Sequence, residues 1–150
     1  MRILVTGAAG MIGRKLTERL ARDGTLRGQR ITAMTLHDIV EPPAPATSGV
    51  DMEVQASDLA RPGVAQALAE ARPDVVFHLA GIVSGEAEAN FELGYRVNLD
   101  GTRALFDALR LAGNGPRVVF TSSIAVFGAP FPDAIPDDFH HTPLTSYGAQ

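Results

Sequence analysis

Ile3-Leu4-Val5-Thr6-Gly7-Ala8-Ala9-Gly10-Met11-Ile12-Gly13 decides how the rest of the chain is read. A short β-branched run leads into three glycines spaced GxxGxxG, and an amphipathic stretch follows to Asp23 with Ile12, Leu16, Leu20 and Ala21 on one face. That order predicts strand, tight turn and helix. Gly7 permits a turn with unusual dihedrals, Gly10 lets the backbone approach a bound phosphate, and Gly13 lets the helix pack near the strand. The N–H groups at the helix start, Met11 and Ile12 among them, then carry a partial positive charge suited to a pyrophosphate. No Gly-Lys-Ser/Thr follows, which excludes a Walker-type loop. The plainer reading is a glycine-rich turn that binds nothing; its place between strand and helix argues against that.

Outward from this turn, apolar runs and helical stretches alternate. A second strand is predicted over residues 31–36, ending at His37-Asp38, after Gly24 stops the first helix. Residues 41–49 hold three prolines with Thr, Ser and Gly and read as a surface loop. A third strand follows over 52–56, a helix over 64–71 and an apolar fourth strand over 74–79. A long helix is expected from near Phe91 to Leu111, with Leu105, Ala108, Leu109 and Ala112 recurring at helical spacing. Gly113-Asn114-Gly115-Pro116 ends it. Residues 117–122 read as the fifth strand, residues 128–143 as loop, and a further helix begins near Tyr147. Alternation of this kind predicts an α/β fold, a Rossmann-like doubly wound parallel sheet of about five strands. The runs 3–5, 75–79 and 118–120 are apolar on both parities, as central parallel strands are.

Composition narrows the function. The chain has 150 residues, 13 Lys+Arg against 17 Asp+Glu and a net charge of −4. A domain of this size buries about 68–70% of its unfolded surface. The acidic balance offers no footprint for nucleic acid or an anionic membrane. Zero cysteines exclude disulfides, a thiolate nucleophile and Cys-ligated metals, and fit a cytoplasmic location. No apolar run approaches the roughly 20 residues of a membrane helix, and the opening residues do not read as a signal peptide. Lys15 is the single lysine.

Asp38 lies roughly 25 residues after Gly13, at the end of the second strand. A carboxylate there accepts hydrogen bonds from adenosine ribose hydroxyls and repels a 2′-phosphate, which favours NAD over NADP. Arg14 and His37 lie nearby and could hold a phosphate instead. Asp58-Leu59, after the third strand, reads equally as an adenine contact or, for Asp58, as a helix N-cap.

Gly7 to Gly13, Asp58-Leu59, His78-Leu79-Ala80-Gly81, Asn98-Leu99-Asp100-Gly101-Thr102, Thr121-Ser122-Ser123 and Tyr147 occur in an order that resembles the extended short-chain dehydrogenases/reductases, the NAD-dependent epimerase/dehydratase group. The resemblance spans nearly the whole chain. It implies that Leu79, Ala80 and Gly81 line the adenosine side of NAD. Residues 82–85, Ser84 among them, would face nicotinamide and substrate. Asn98 would support the cofactor site. Ser123 would hydrogen-bond the reacting oxygen, with Ser122 the alternative and a cofactor contact. Tyr147 would contact cofactor and substrate and act as general acid/base. A free phenol titrates near pH 10, at about the value of ordinary tyrosine, so such a group needs help near neutrality. In the family a lysine one helical turn later supplies it.

That lysine position lies just beyond Gln150, and Lys15 sits on the first helix. Residues 1–150 therefore read as the NAD-binding domain of a longer protein, without its catalytic lysine and C-terminal substrate-binding portion. Alone they are expected to bind NAD weakly and not to turn over. Two stretches, 78–89 and 121–130, resemble within the family those dehydrogenases that oxidise the C2 hydroxyl of the sugar acid D-erythronate. A nucleotide-sugar epimerase or dehydratase is the alternative, and a non-catalytic NAD-binding module a further one. The family often dimerises through two helices, here those ending near Leu111 and starting at Tyr147.

Other features read plainly. His140-His141 is a loop pair without further ligands at metal spacing. Glu86 and Glu88 place negative charge near a helix start. His78 ends a buried strand and makes a structural hydrogen bond. Asp133, Asp137 and Asp138 form a solvated acidic loop that lacks calcium-loop spacing.

Overall fold

A computed structural model describes residues 1–46 and 49–150. Thr47 and Ser48, part of the proline-rich loop expected over 41–49, lie outside the described residues. The first elements are β1 (Arg2–Thr6), α1 (Met11–Asp23), β2 (Thr25–Leu26), β3 (Gln29–Arg30), β4 (Ala33–Asp38), β5 (Asp51–Ala56), α2 (Val64–Glu70) and β6 (Val75–His78), in the expected order apart from the added β2 and β3. Next come α3 (Ser84–Ala89), α4 (Phe91–Gly94), a π-helical stretch Tyr95–Gly101, α5 (Thr102–Ala112), β7 (Arg117–Phe120), a 3₁₀ turn Ile124–Val126 and α6 (Ser146–Ala149).

Five strands form one parallel sheet in the order β5-β4-β1-β6-β7. The order reverses at β1, so a crevice opens between the carboxyl ends of β1 and β6, where open α/β sheets bind ligands. Two apolar layers hold the sheet. Ile3, Val5, Leu20, Ala21, Met34 and Leu36 pack on one face. Leu4, Leu68, Val76, Leu105, Ala108 and Leu109 pack on the other. The alternation of Ile3 and Val5 against Leu4 is the strand period of two, with both sides covered.

Several expectations shift. The second strand runs 33–38 rather than 31–36, because β2 and β3 form a small antiparallel hairpin that takes up the preceding residues. Its turn is Arg27-Gly28, with φ of 52° and 78°, and the Ile31 N–H bonds back to the Gly24 carbonyl. The fifth strand ends at Phe120 instead of Ser122. Ile12 is 55% exposed, and the buried face of α1 is Gly13, Thr17, Leu20 and Ala21, since the glycine turn rather than the sheet meets the helix start. Among the described residues β7 lies at the margin of the sheet, and Val118, Val119 and Phe120 are exposed. The long helix is continuous but widens over 95–101. Gly24 (φ 63°) and Gly113 (φ 70°) end α1 and α5 in the left-handed conformation, as expected of helix stops. Among the described residues no helix is long and apolar enough to cross a membrane.

Candidate active site

The glycine turn is built against its neighbours. Gly7 has φ of 76°, and a Cβ there would lie 2.6 Å from the Ala80 nitrogen. A Cβ on Gly13 would lie 2.1 Å from the Gly7 carbonyl oxygen. The third glycine thus lets α1 fold onto the turn itself. Gly10 caps α1 without a side-chain bond. Among the described residues the N–H groups of Met11 and Ile12 find no hydrogen-bond acceptor, and both side chains are exposed. These amides are free for an anion.

Asp38 is tied to this turn. Its Oδ2 accepts the Ala9 N–H at 2.9 Å and its Oδ1 accepts the Ile39 N–H at 2.7 Å. A carboxylate has about four acceptor sites, so capacity remains for two hydroxyls. His37 lies along the wall of the cavity next to Asp38. It is 1% exposed, and its Nε2 pairs with the Ser57 hydroxyl at 3.0 Å. Burial holds its pKa below the ordinary imidazole value. Asp58 does not cap a helix, since α2 starts at Val64 with Gly63 at its N-cap; its Oδ1 accepts the Ala60 N–H at 2.9 Å in a turn, and it forms an ion pair with Arg96.

Two cavities meet along residues 79–82. One, of about 510 Å³, is lined by Gly7, Gly10, Asp38, Asp58, Leu59 and residues 79–82. The other, of about 390 Å³, is lined by residues 79–83, Asn98, Ser122, Ser123 and Tyr147. Both fall in the size range of small-molecule sites. Leu79, Ala80, Gly81 and Ile82 border both cavities, so this segment is a shared wall rather than an adenosine-side lining alone. Asn98 holds the wall: its Oδ1 accepts the Ile82 N–H at 2.9 Å and its Nδ2 donates to the Ile82 carbonyl at 3.1 Å. This pairing satisfies the backbone where it leaves the sheet. The π-helical stretch that carries Asn98 is of a kind frequent at functional sites, and periodicity alone gave no sign of it.

Ser123 accepts the Ala125 N–H at 3.2 Å and so caps the 3₁₀ turn, which leaves its hydroxyl proton free to donate. Ser84, expected at the substrate side, lines neither cavity. It begins α3 and is exposed, because the chain turns away from the crevice after Val83. Glu86 lies in the first turn of α3, as the charge pattern suggested. Glu88 instead reaches α6: its Oε1 accepts the Tyr147 N–H at 2.6 Å and the Ser146 hydroxyl at 3.2 Å. Spacing within α3 could not show this contact.

His78 is buried beneath the crevice. Its Nδ1 is 2.6 Å from the Thr6 hydroxyl and its Nε2 2.8 Å from that of Thr102, the structural role expected. Burial, with the nearby His37, lowers its pKa to about 4. His141 packs edge-on against Phe127, and no group of three or more His, Asp or Glu suited to a metal occurs among the described residues.

The chain matches the NAD dependent epimerase/dehydratase family over residues 3–150. It belongs to that family. Family membership accounts for the parallel sheet, the glycine turn and the crevice at the strand reversal. The chain is 44% identical to a D-erythronate dehydrogenase of Cupriavidus necator, covering 100% of this chain and 47% of that protein. A D-erythronate dehydrogenase of Haemophilus influenzae is 33% identical, with 46% of its length covered. Among solved structures, a nucleoside-diphosphate-sugar epimerase from Agrobacterium tumefaciens superposes with a TM-score of 0.95 at 61% identity, over 99% of this chain and 45% of that one. A UDP-glucose 4-epimerase from Brucella ovis, in complex with NAD, gives 0.77 at 28% identity, over 99% and 43%. The chain thus spans a little under half the length of these relatives.

Proposed function

We propose that these residues form the NAD-binding part of a longer oxidoreductase that oxidises the C2 hydroxyl of D-erythronate to the 2-keto acid. The observation that carries this reading is the pair of cavities divided by residues 79–82, one holding Asp38 and the glycine turn, the other Ser122, Ser123 and Tyr147. The 44% identity to a D-erythronate dehydrogenase over the whole chain supports the substrate class. The cradle fits a dinucleotide: Gly7 and Gly13 leave no room for a Cβ, the amides of Met11 and Ile12 are open to phosphate, and Asp38 keeps acceptor sites for ribose. When bound, NAD supplies the hydride acceptor.

The chain's own residues do the rest. Ser123, already an acceptor from Ala125, donates a hydrogen bond to the substrate oxygen and keeps its proton. Tyr147 takes the substrate's hydroxyl proton as general base. Asn98 keeps residues 79–82 in place between the two halves of the crevice. A lysine beyond residue 150 and a C-terminal substrate-binding portion complete the site in this reading, and a homodimer in the cytoplasm is the expected state.

A second reading, nucleotide-sugar epimerase, is favoured by the 61% identity to a nucleoside-diphosphate-sugar epimerase. Release of NADH separates the two. The full-length protein is mixed with NAD and D-erythronate, and in parallel with UDP-sugars. NADH accumulating with D-erythronate supports the dehydrogenase. No NADH from the acid, with interconversion of the sugars, supports the epimerase.

A further inference from the structure

The start of α6 is held from two sides. On one, Gly148 packs against the 3₁₀ turn that follows Ser123, where a Cβ would lie 2.2 Å from the Ala125 carbonyl oxygen. On the other stands Glu88 of α3, whose Oε1 takes the N–H of Tyr147 and the hydroxyl of Ser146. The Tyr147 amide lies in the first helical turn, where no carbonyl within the helix can serve it. A carboxylate there makes a charge-assisted bond and meets the partial positive charge of the helix start. Thr145 caps the neighbouring Gly148 N–H at 3.0 Å, so Glu88 supplies a second, separate anchor. That anchor comes from the helix directly after the shared wall of the two cavities. Tyr147 is thereby referenced to Ser123 through Gly148, and to the wall through Glu88.

We propose that Glu88 is a positioning residue for Tyr147: its carboxylate oxygen fixes the first turn of α6 so that the phenol is held in register with Ser123 and residues 79–83. The inference rests on the acid/base role proposed for Tyr147. It assigns to Glu88 an acceptor function and no contact with substrate or cofactor. A Glu88→Gln change keeps an oxygen at the same reach, whereas Glu88→Ala removes it.

The test uses the full-length protein with three readouts: steady-state kinetics, NAD affinity by calorimetry, and amide exchange of the peptide containing residues 145–150. Expected for Glu88→Ala are a fall in kcat of about tenfold, the loss of one hydrogen bond's worth of alignment, NAD affinity within about twofold, and faster exchange at α6. Glu88→Gln restores most of kcat and of the protection. Unchanged α6 exchange and kcat in Glu88→Ala overturn the proposal. So does a loss of NAD affinity as large as the loss of kcat, or a Gln variant as impaired as the Ala variant. Exchange is read without any substrate. Absence of turnover in the unaltered protein therefore counts against the proposed activity, while unchanged exchange in Glu88→Ala counts against Glu88.

Discussion

The imidazole Nδ1 of His78 and the hydroxyl of Thr6 lie 2.6 Å apart under the crevice, joining β6 to β1 where the strand order reverses. The other ring nitrogen meets Thr102 of α5 at 2.8 Å, so one neutral histidine ties sheet to helix. His37 stands at the matching level of β4, opposite Thr6 in register and equally buried.

That arrangement sets a pH dependence. The folded pKa of His78 is depressed to about 4 from an ordinary 6.5. Between these values the unfolded chain binds a proton that the folded chain refuses, so stability falls as pH drops. The contribution is intact above about pH 6.5 and is lost progressively down to about pH 4, amounting to about 3 kcal/mol. His37 is shifted in the same direction by its burial and adds to the trend. Urea unfolding midpoints across this range should decline with acid, and His78→Asn should flatten the slope. A midpoint constant from neutrality to pH 4 would contradict the assignment.

Glycine replacements should sort by space. Gly13→Ala forces a Cβ to 2.1 Å from the Gly7 carbonyl oxygen and should cost about 1–3 kcal/mol or more by overpacking, with NAD binding lost. Gly85→Ala in α3 meets no atom within 4 Å and should stabilise by about 0.5–1 kcal/mol. Denaturant titrations of the two variants, with and without NAD, check both signs.

Asp38→Ala removes the ribose acceptor and the bond to the Ala9 amide. Affinity for NAD should fall by about tenfold or more, the worth of charge-assisted hydrogen bonds. Affinity for NADP should fall less, because the repulsion of its 2′-phosphate goes with the carboxylate. Calorimetry with both dinucleotides measures the change in ratio, and an unaltered ratio would remove Asp38 from cofactor choice.

Tyr147→Phe in the full-length protein should lower kcat by about 10²–10⁴-fold, the usual worth of a general acid/base. NAD affinity should stay nearly the same. Ser123→Ala should follow the same pattern with a smaller loss, since the 3₁₀ turn also loses its cap. Ser122→Ala should leave kcat near that of the unaltered protein. A larger loss for Ser122 than for Ser123 would exchange their roles.

What the sequence determined by itself was local. Gly7, Gly10 and Gly13 at their spacing, set between a β-branched run and an amphipathic one, specify strand, turn and helix, because each of those preferences acts over a few residues. Gly24 and Gly113 marked helix ends for the same reason. Resemblance placed Ser123 and Tyr147, and both line one cavity in the structure. What only the tertiary structure decided depends on strand order and on contacts between distant residues. It made residues 79–82 a wall between two cavities and left Ser84 outside both. It widened the helix at Asn98 so that its amide meets Ile82, and joined the buried His37 ring to Ser57 at the cavity wall. It set Glu88 against Tyr147, 59 residues away. Hydrophobic periodicity reports which face of an element is buried. It does not report which side chain of another element arrives there, since that follows from how the crossovers pack the helices onto the sheet.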